Sequence, residues 1–117
     1  RHEISAYMLR RFSLSYDAKT ETVVTVGGSE AIDIAIRAVV EPGDEVIIPT
    51  PCFVCYEPLV KLAGGVPVIL ATERKDEFKL NPEKLKALIT PKTKMLVLPF
   101  PNNPTGSVLR MEDLEVM

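Results

Sequence analysis

The 117 residues carry 14 Lys and Arg against 16 Asp and Glu, mixed along the chain for a formal net charge of −2, and 46% of them are hydrophobic. That balance supplies no field for nucleic acid or an anionic membrane, while the length and apolar content suit one globular domain with a real core. Two cysteines and a single histidine exclude a disulfide scaffold and a Cys/His metal cluster.

Ile4, Met8 and Phe12 recur every four residues, one stripe of an amphipathic helix that ends before the turn formers Tyr16-Asp17-Ala18-Lys19. Thr22-Val23-Val24-Thr25-Val26 is β-branched throughout and predicts a buried strand running into Gly27-Gly28. From Ser29 the pattern is helical, with Glu30, Asp33 and Arg37 as its single polar stripe. Pro42-Gly43 ends that helix. Glu45-Val46-Ile47-Ile48, bounded by Pro49-Thr50-Pro51, predicts a second buried strand, and a helix follows between Phe53 and Leu62, bent or begun late by Pro58 and closed by Gly64-Gly65. Val66 to Leu70 predicts a third strand, which Pro67 assigns to the edge of a sheet because proline cannot donate to a ladder. Asn81-Pro82 is an N-cap followed by proline at the first helical position, and Leu85, Leu88 and Ile89 give that helix its buried face. Lys94 to Leu98 predicts a fourth strand. The apolar runs are far too short to span a bilayer and the N-terminus lacks a signal-peptide core, so a cytoplasmic protein is expected. Since the chain opens on Arg1 and closes within a helix-like pattern at Glu115-Val116-Met117, a fragment is also expected.

Strand and helix alternate four times, which implies right-handed crossovers and an α/β fold: a mainly parallel sheet between two helical layers. Ligands of such sheets bind beyond the carboxyl ends of the strands. Three loops leave those ends. Gly27-Gly28-Ser29-Glu30 opens a helix with two glycines, so backbone N–H groups and the helix dipole can meet a phosphate; the spacing is neither the dinucleotide fingerprint nor a Walker loop. Pro51-Cys52-Phe53-Val54-Cys55-Tyr56 offers the Phe53 ring for stacking on a flat heteroaromatic ligand, worth ~0.5–1.5 kcal/mol beyond burial. Pro99-Phe100-Pro101-Asn102-Asn103-Pro104-Thr105-Gly106 holds two adjacent amides between stiff neighbours. Each loop alone also reads as ordinary turn chemistry or, for Phe53, as a core aromatic.

Taken together, Val24-Thr25-Val26-Gly27-Gly28-Ser29-Glu30-Ala31-Ile32, Pro42-Gly43-Asp44-Glu45-Val46, the Pro51–Tyr56 loop, Ala63-Gly64-Gly65 and Asn102-Asn103-Pro104-Thr105-Gly106 resemble the class I/II aminotransferases. These are pyridoxal-phosphate enzymes of fold type I, and the resemblance covers the chain from about Ile4 onward. It implies that residues 1–117 are part of the large cofactor-binding domain, with the N-terminal arm and the C-terminal part missing. By the resemblance, Gly28 and Ser29, with Glu30 adjoining, bind the cofactor phosphate. Phe53 stacks on the pyridine ring, where relatives often carry Tyr or Trp, and Asn103 hydrogen-bonds the cofactor's 3′-oxygen near the substrate carboxylate. The implied partners are an amino acid and a 2-oxo acid, with no nucleic acid or membrane, in a homodimer. The family's Schiff-base lysine and its substrate-binding arginine fall downstream of Met117. Lys61, Lys84, Lys86, Lys92 and Lys94 match no catalytic motif, so the isolated chain is expected to be inactive. Two alternatives stand beside this one. A β-lyase or decarboxylase of the same fold type would share these loops, and Cys52-Phe53-Val54-Cys55 has the spacing of a thiol oxidoreductase.

Overall fold

Val46, Ile47 and Ile48 are each fully buried, with 0% exposure, and the sheet is built around them. The computed structural model describes residues 1–117, which divide into two units, 1–31 and 32–117.

In the second unit, β1 (Glu45–Thr50) is the middle strand of a parallel sheet and lies between β2 (Val66–Ala71) and β3 (Thr93–Leu96). Successive side chains of a strand point to opposite faces, so the run Val46-Ile47-Ile48 feeds two cores. Val46 and Ile48 pack with Ile36, Val40 and Val60, and Ile47 packs on the other side with Leu70, Leu80 and Leu85. The first cluster draws on α2 (Gly28–Val39), which begins in the first unit, and α3 (Tyr56–Leu62); the second draws on α4 (Pro82–Leu88). The result is the expected α/β/α layering. Each of these fully buried aliphatic chains contributes about 1.5–3 kcal/mol. The helix α4 starts as predicted, with the Asn81 side chain accepting from the Lys84 N–H at 2.9 Å and Pro82 at the first helical position. A short α5 (Met111–Glu115) follows the Asn102 loop.

The prolines of the sheet can be placed by parity. Val66 N–H donates to Asp44 O and Thr72 N–H to Thr50 O, so the even residues of β1 and β2 face each other and Pro67 turns its missing donor outward, off the edge. On the other side of β1, Glu45 N–H donates to Lys92 O and Val97 N–H to Ile47 O, so the odd residues, Pro49 among them, face β3.

The first unit contains α1 (His2–Phe12), closed by Ser13 in the left-handed region at φ 57°. Asp17 Oδ1 then accepts from the Lys19 N–H and from the Thr20 N–H and hydroxyl, at 2.7–2.8 Å. The hydroxyl of Thr20, with those two N–H groups, holds the Asp17 carboxyl below the usual carboxylate range.

Two expectations need correction, the first strand and the bounds of the last. Thr22–Val26 forms no strand, Val26 is 99% exposed, and the sheet has three strands rather than four. A β-branched run favours the pleat, but only a paired neighbour completes a strand, and none pairs with this one. The helix after β1 begins late, at Tyr56, with Cys55 as its N-cap. The last strand is Thr93–Leu96, not Lys94–Leu98, because the prolines that follow cannot continue a ladder. Although α1 forms as predicted, its stripe is not buried within its unit. No helix is long and apolar enough to cross a membrane.

Candidate functional site

β1 and β3 run parallel, so their carboxyl ends deliver two loops to one end of the sheet: Pro51–Cys55 from β1 and Leu98–Ser107 from β3. The peptides Thr50–Pro51, Phe100–Pro101 and Asn103–Pro104 are cis. Thr72 closes the end of β1 from the far side, its N–H and its hydroxyl both donating to Thr50 O at 2.9 Å.

The two adjacent amides behave differently. Asn102 is 7% exposed, and its Nδ2 donates to Pro51 O at 3.3 Å while its Oδ1 accepts from the Thr105 N–H at 3.3 Å. Its backbone N–H donates to Ser107 O, and its carbonyl accepts from the Gly106 N–H, both at 2.8 Å. Asn103 is exposed, and its side chain makes none of these internal bonds. The sequence marks both positions as amides beyond a strand, and only the fold of the loop separates the inward one from the outward one. Asn102 is therefore the functional candidate that sequence reasoning left out of the site.

Phe53 is 38% exposed and meets the Tyr56 ring edge-on, with centroids 6.5 Å apart. One face of Phe53 lines an open hollow of about 540 Å³ shared with Ile48, Val54, Glu57, Lys61 and Ile69. Neither Asn102 nor Asn103 lines that hollow, so it lies on the α3 side rather than at the amide loop. Burial pushes the Cys52 thiol up, and Cys55 and Glu57 add to the shift. A dithiol catalyst needs a shift in the opposite direction. Cys52 is a free thiol.

The remaining predicted residues, Gly28, Ser29 and Glu30, belong to the first unit. Ala31 N–H makes the first backbone bond of α2, to Gly27 O at 3.2 Å, so the N–H groups of Gly28, Ser29 and Glu30 precede the ladder. The Glu30 carboxylate accepts from the Val26 N–H at 2.6 Å, four residues back along the chain, which keeps its charge on its own backbone. A Cβ on Gly27 or Gly28 would meet no atom within 4 Å, and neither residue has a positive φ. Nothing inside this chain requires glycine at either position.

Known proteins resemble this chain over nearly all of its length. The aminotransferase class I and II family model matches residues 1–117. The chain is 54% identical over 114 residues to YugH of Bacillus subtilis (strain 168), to which an aminotransferase activity is provisionally ascribed, covering 97% of this chain and 30% of that protein. It is 44% identical over 115 residues to the aspartate aminotransferase of Pyrococcus abyssi (strain GE5 / Orsay), covering 98% of this chain and 30% of that one. Among solved structures it is similar to the aromatic aminotransferase of Pyrococcus horikoshii OT3, with a TM-score of 0.92 at 43% identity, covering 97% of this chain and 31% of that one. The chain thus spans about 30% of the length of these relatives. Matched by the family model from first residue to last, and superposing on a fold type I enzyme over nearly all its length, it belongs to the class I and II aminotransferases.

Proposed function

We propose that residues 1–117 are part of the large cofactor-binding domain of an enzyme that moves an amino group from an amino acid to a 2-oxo acid, using pyridoxal phosphate. Members of the family generally use that cofactor. The observation that carries the proposal is the glycine pair at the start of α2. Where the fold itself demands no glycine, a bare backbone leaves room for a ligand to approach closely, and the N–H groups of Gly28, Ser29 and Glu30 are the donors a phosphate takes. Because the Glu30 carboxylate is turned back onto Val26, its N–H can serve an anion without its side chain facing the same charge.

When bound, the cofactor supplies an electron sink for the carbanion at the substrate's Cα. The chain's own residues hold and screen it. Phe53, half-exposed and braced edge-on by Tyr56, covers one face of the ring and excludes water from it. The Asn103 amide, exposed at the carboxyl end of the sheet, donates a hydrogen bond to the 3′-oxygen and so stabilises negative charge there. None of the chain's lysines matches the family's cofactor-linking motif, so in this proposal the 117 residues alone have no turnover. Turnover of an amino acid and 2-oxo acid pair by a homogeneous preparation of them would overturn that.

These residues name no single amino-acid substrate. Relatives that match nearly all of this chain carry names that run from aspartate to aromatic amino acids and methionine. A homodimeric, cytoplasmic parent is part of the same proposal and rests on the resemblance alone. The test is Asn103→Ala in the full-length enzyme. It should weaken cofactor binding by about 1–3 kcal/mol, the cost of a hydrogen bond to a charged group, and shift the cofactor's absorption band. An unchanged spectrum and affinity would reduce Asn103 to a turn residue.

A further inference from the structure

We propose that Asn102 is a positioning residue of the cofactor site, whose buried amide ties the loop carrying Asn103 to the loop carrying Phe53 across a gap in the sheet. This inference rests on the assignment of Asn103 and Phe53 as cofactor contacts.

The gap follows from the register. Ile47 of β1 pairs with Leu96 of β3, and Val97 N–H donates to Ile47 O at 3.0 Å. In a parallel ladder the next rung along would be made by the N–H of residue 49 to the carbonyl of residue 97 and by the N–H of residue 99 to the carbonyl of residue 49. Both donor positions are proline, Pro49 and Pro99, so both bonds of that rung are deleted at once. The chain turns locally there, with Leu98 O accepting from the Phe100 N–H at 2.9 Å. The two chain segments that go on to Phe53 and Asn103 therefore leave the sheet without a backbone bond between them at the point of departure.

Asn102 supplies the missing tie. Its Nδ2 reaches Pro51 O, two residues before Phe53, and its Oδ1 takes the Thr105 N–H from its own loop. With its backbone N–H and carbonyl also engaged, by Ser107 and Gly106, Asn102 is fixed at every polar group, and the direction in which Asn103 leaves it is fixed with it. The chemistry specifies an amide. Pro51 O needs a donor and the Thr105 N–H needs an acceptor, and a carboxamide offers one of each in one plane. Asn102 is the buried polar side chain of residues 32–117, and its own amide is shielded from water except through these two partners.

The consequence is coupling, since displacing Asn102 releases both cofactor contacts together. Asn102→Asp in the full-length holoenzyme keeps the acceptor for Thr105, removes the donor to Pro51 and sets a carboxylate oxygen against that carbonyl. It should raise the dissociation constant for pyridoxal phosphate roughly tenfold and shift the cofactor absorption in the same direction as N103A, acting through the two loops that Asn102 joins. Its effect should nearly vanish when added to N103A, because residues acting through one another are not additive. If N102D does not accumulate as a folded holoenzyme, Asn102→Ser, with a shorter donor and acceptor, gives the same readout. A lower melting temperature with an unchanged spectrum and affinity, or full additivity with N103A, overturns the proposal while leaving the Asn103 assignment intact. If N103A is itself silent, the site assignment falls and this inference falls with it.

Discussion

Residues 22–28 and residues 45–65 are built from the same materials and come to opposite ends. Each has a β-branched run and a pair of adjacent glycines. In the later region the run is β1, with its centre fully buried, and the glycines are forced. Gly64 sits at φ +83°, and a Cβ on Gly65 would come within 2.7 Å of Val40 Cγ1 and 3.0 Å of Val60 Cγ1. In the earlier region Val23, Val24 and Val26 are exposed, and Gly27 and Gly28 have open space around them. The later region is explained by its own packing. The earlier one is not, and what its composition answers to must lie outside its own contacts, which in the proposal above is in part a phosphate.

The contrast can be broken by mutation. The largest effect is expected at Ile47→Ala, which should cost about 2–5 kcal/mol in a urea titration of the 117-residue chain, whereas Val24→Ala should stay within about 0.5 kcal/mol. Comparable costs would mean that the exposed run is packed after all. Gly65→Ala comes next. The added methyl has to displace two buried valines, and overpacking of that kind costs about 1–3 kcal/mol, read from the same titration. Smallest, and opposite in sign, is Gly28→Ala, which should gain about 0.4–1 kcal/mol by restricting the unfolded chain. In the full-length enzyme the same change should weaken pyridoxal-phosphate binding by equilibrium titration. Undiminished affinity would make the pair an ordinary helix start.

The sequence made some elements plain because their cause is local. Asn81-Pro82 writes its own cap, Pro67 announces an edge by the donor it lacks, and the three apolar residues of β1 need two covered faces whatever covers them. It misled where the cause is distant. Thr22–Val26 has every local mark of a strand and lacks only a neighbour, which no property of the five residues reveals. The site shows the same division. Its three loops were legible from prolines, glycines and amides beyond strand ends, yet Asn102 and Asn103 are chemically identical neighbours. Which of them turns inward depends on where Pro51 O and the Thr105 N–H fall, 51 residues away in one case and 3 in the other.

Pro67 carries a further consequence, for how the sheet can grow. On the outer side of β2 the backbone donors belong to residues 67, 69 and 71, and the first of them is absent, so an incoming strand would meet a broken template. On the outer side of β3, Leu96 and Leu98 still carry N–H groups. Strand addition, whether by another segment of polypeptide or by faulty association between copies, therefore has one permissive edge and one that is blunted. The direction of assembly is written into a single imino acid.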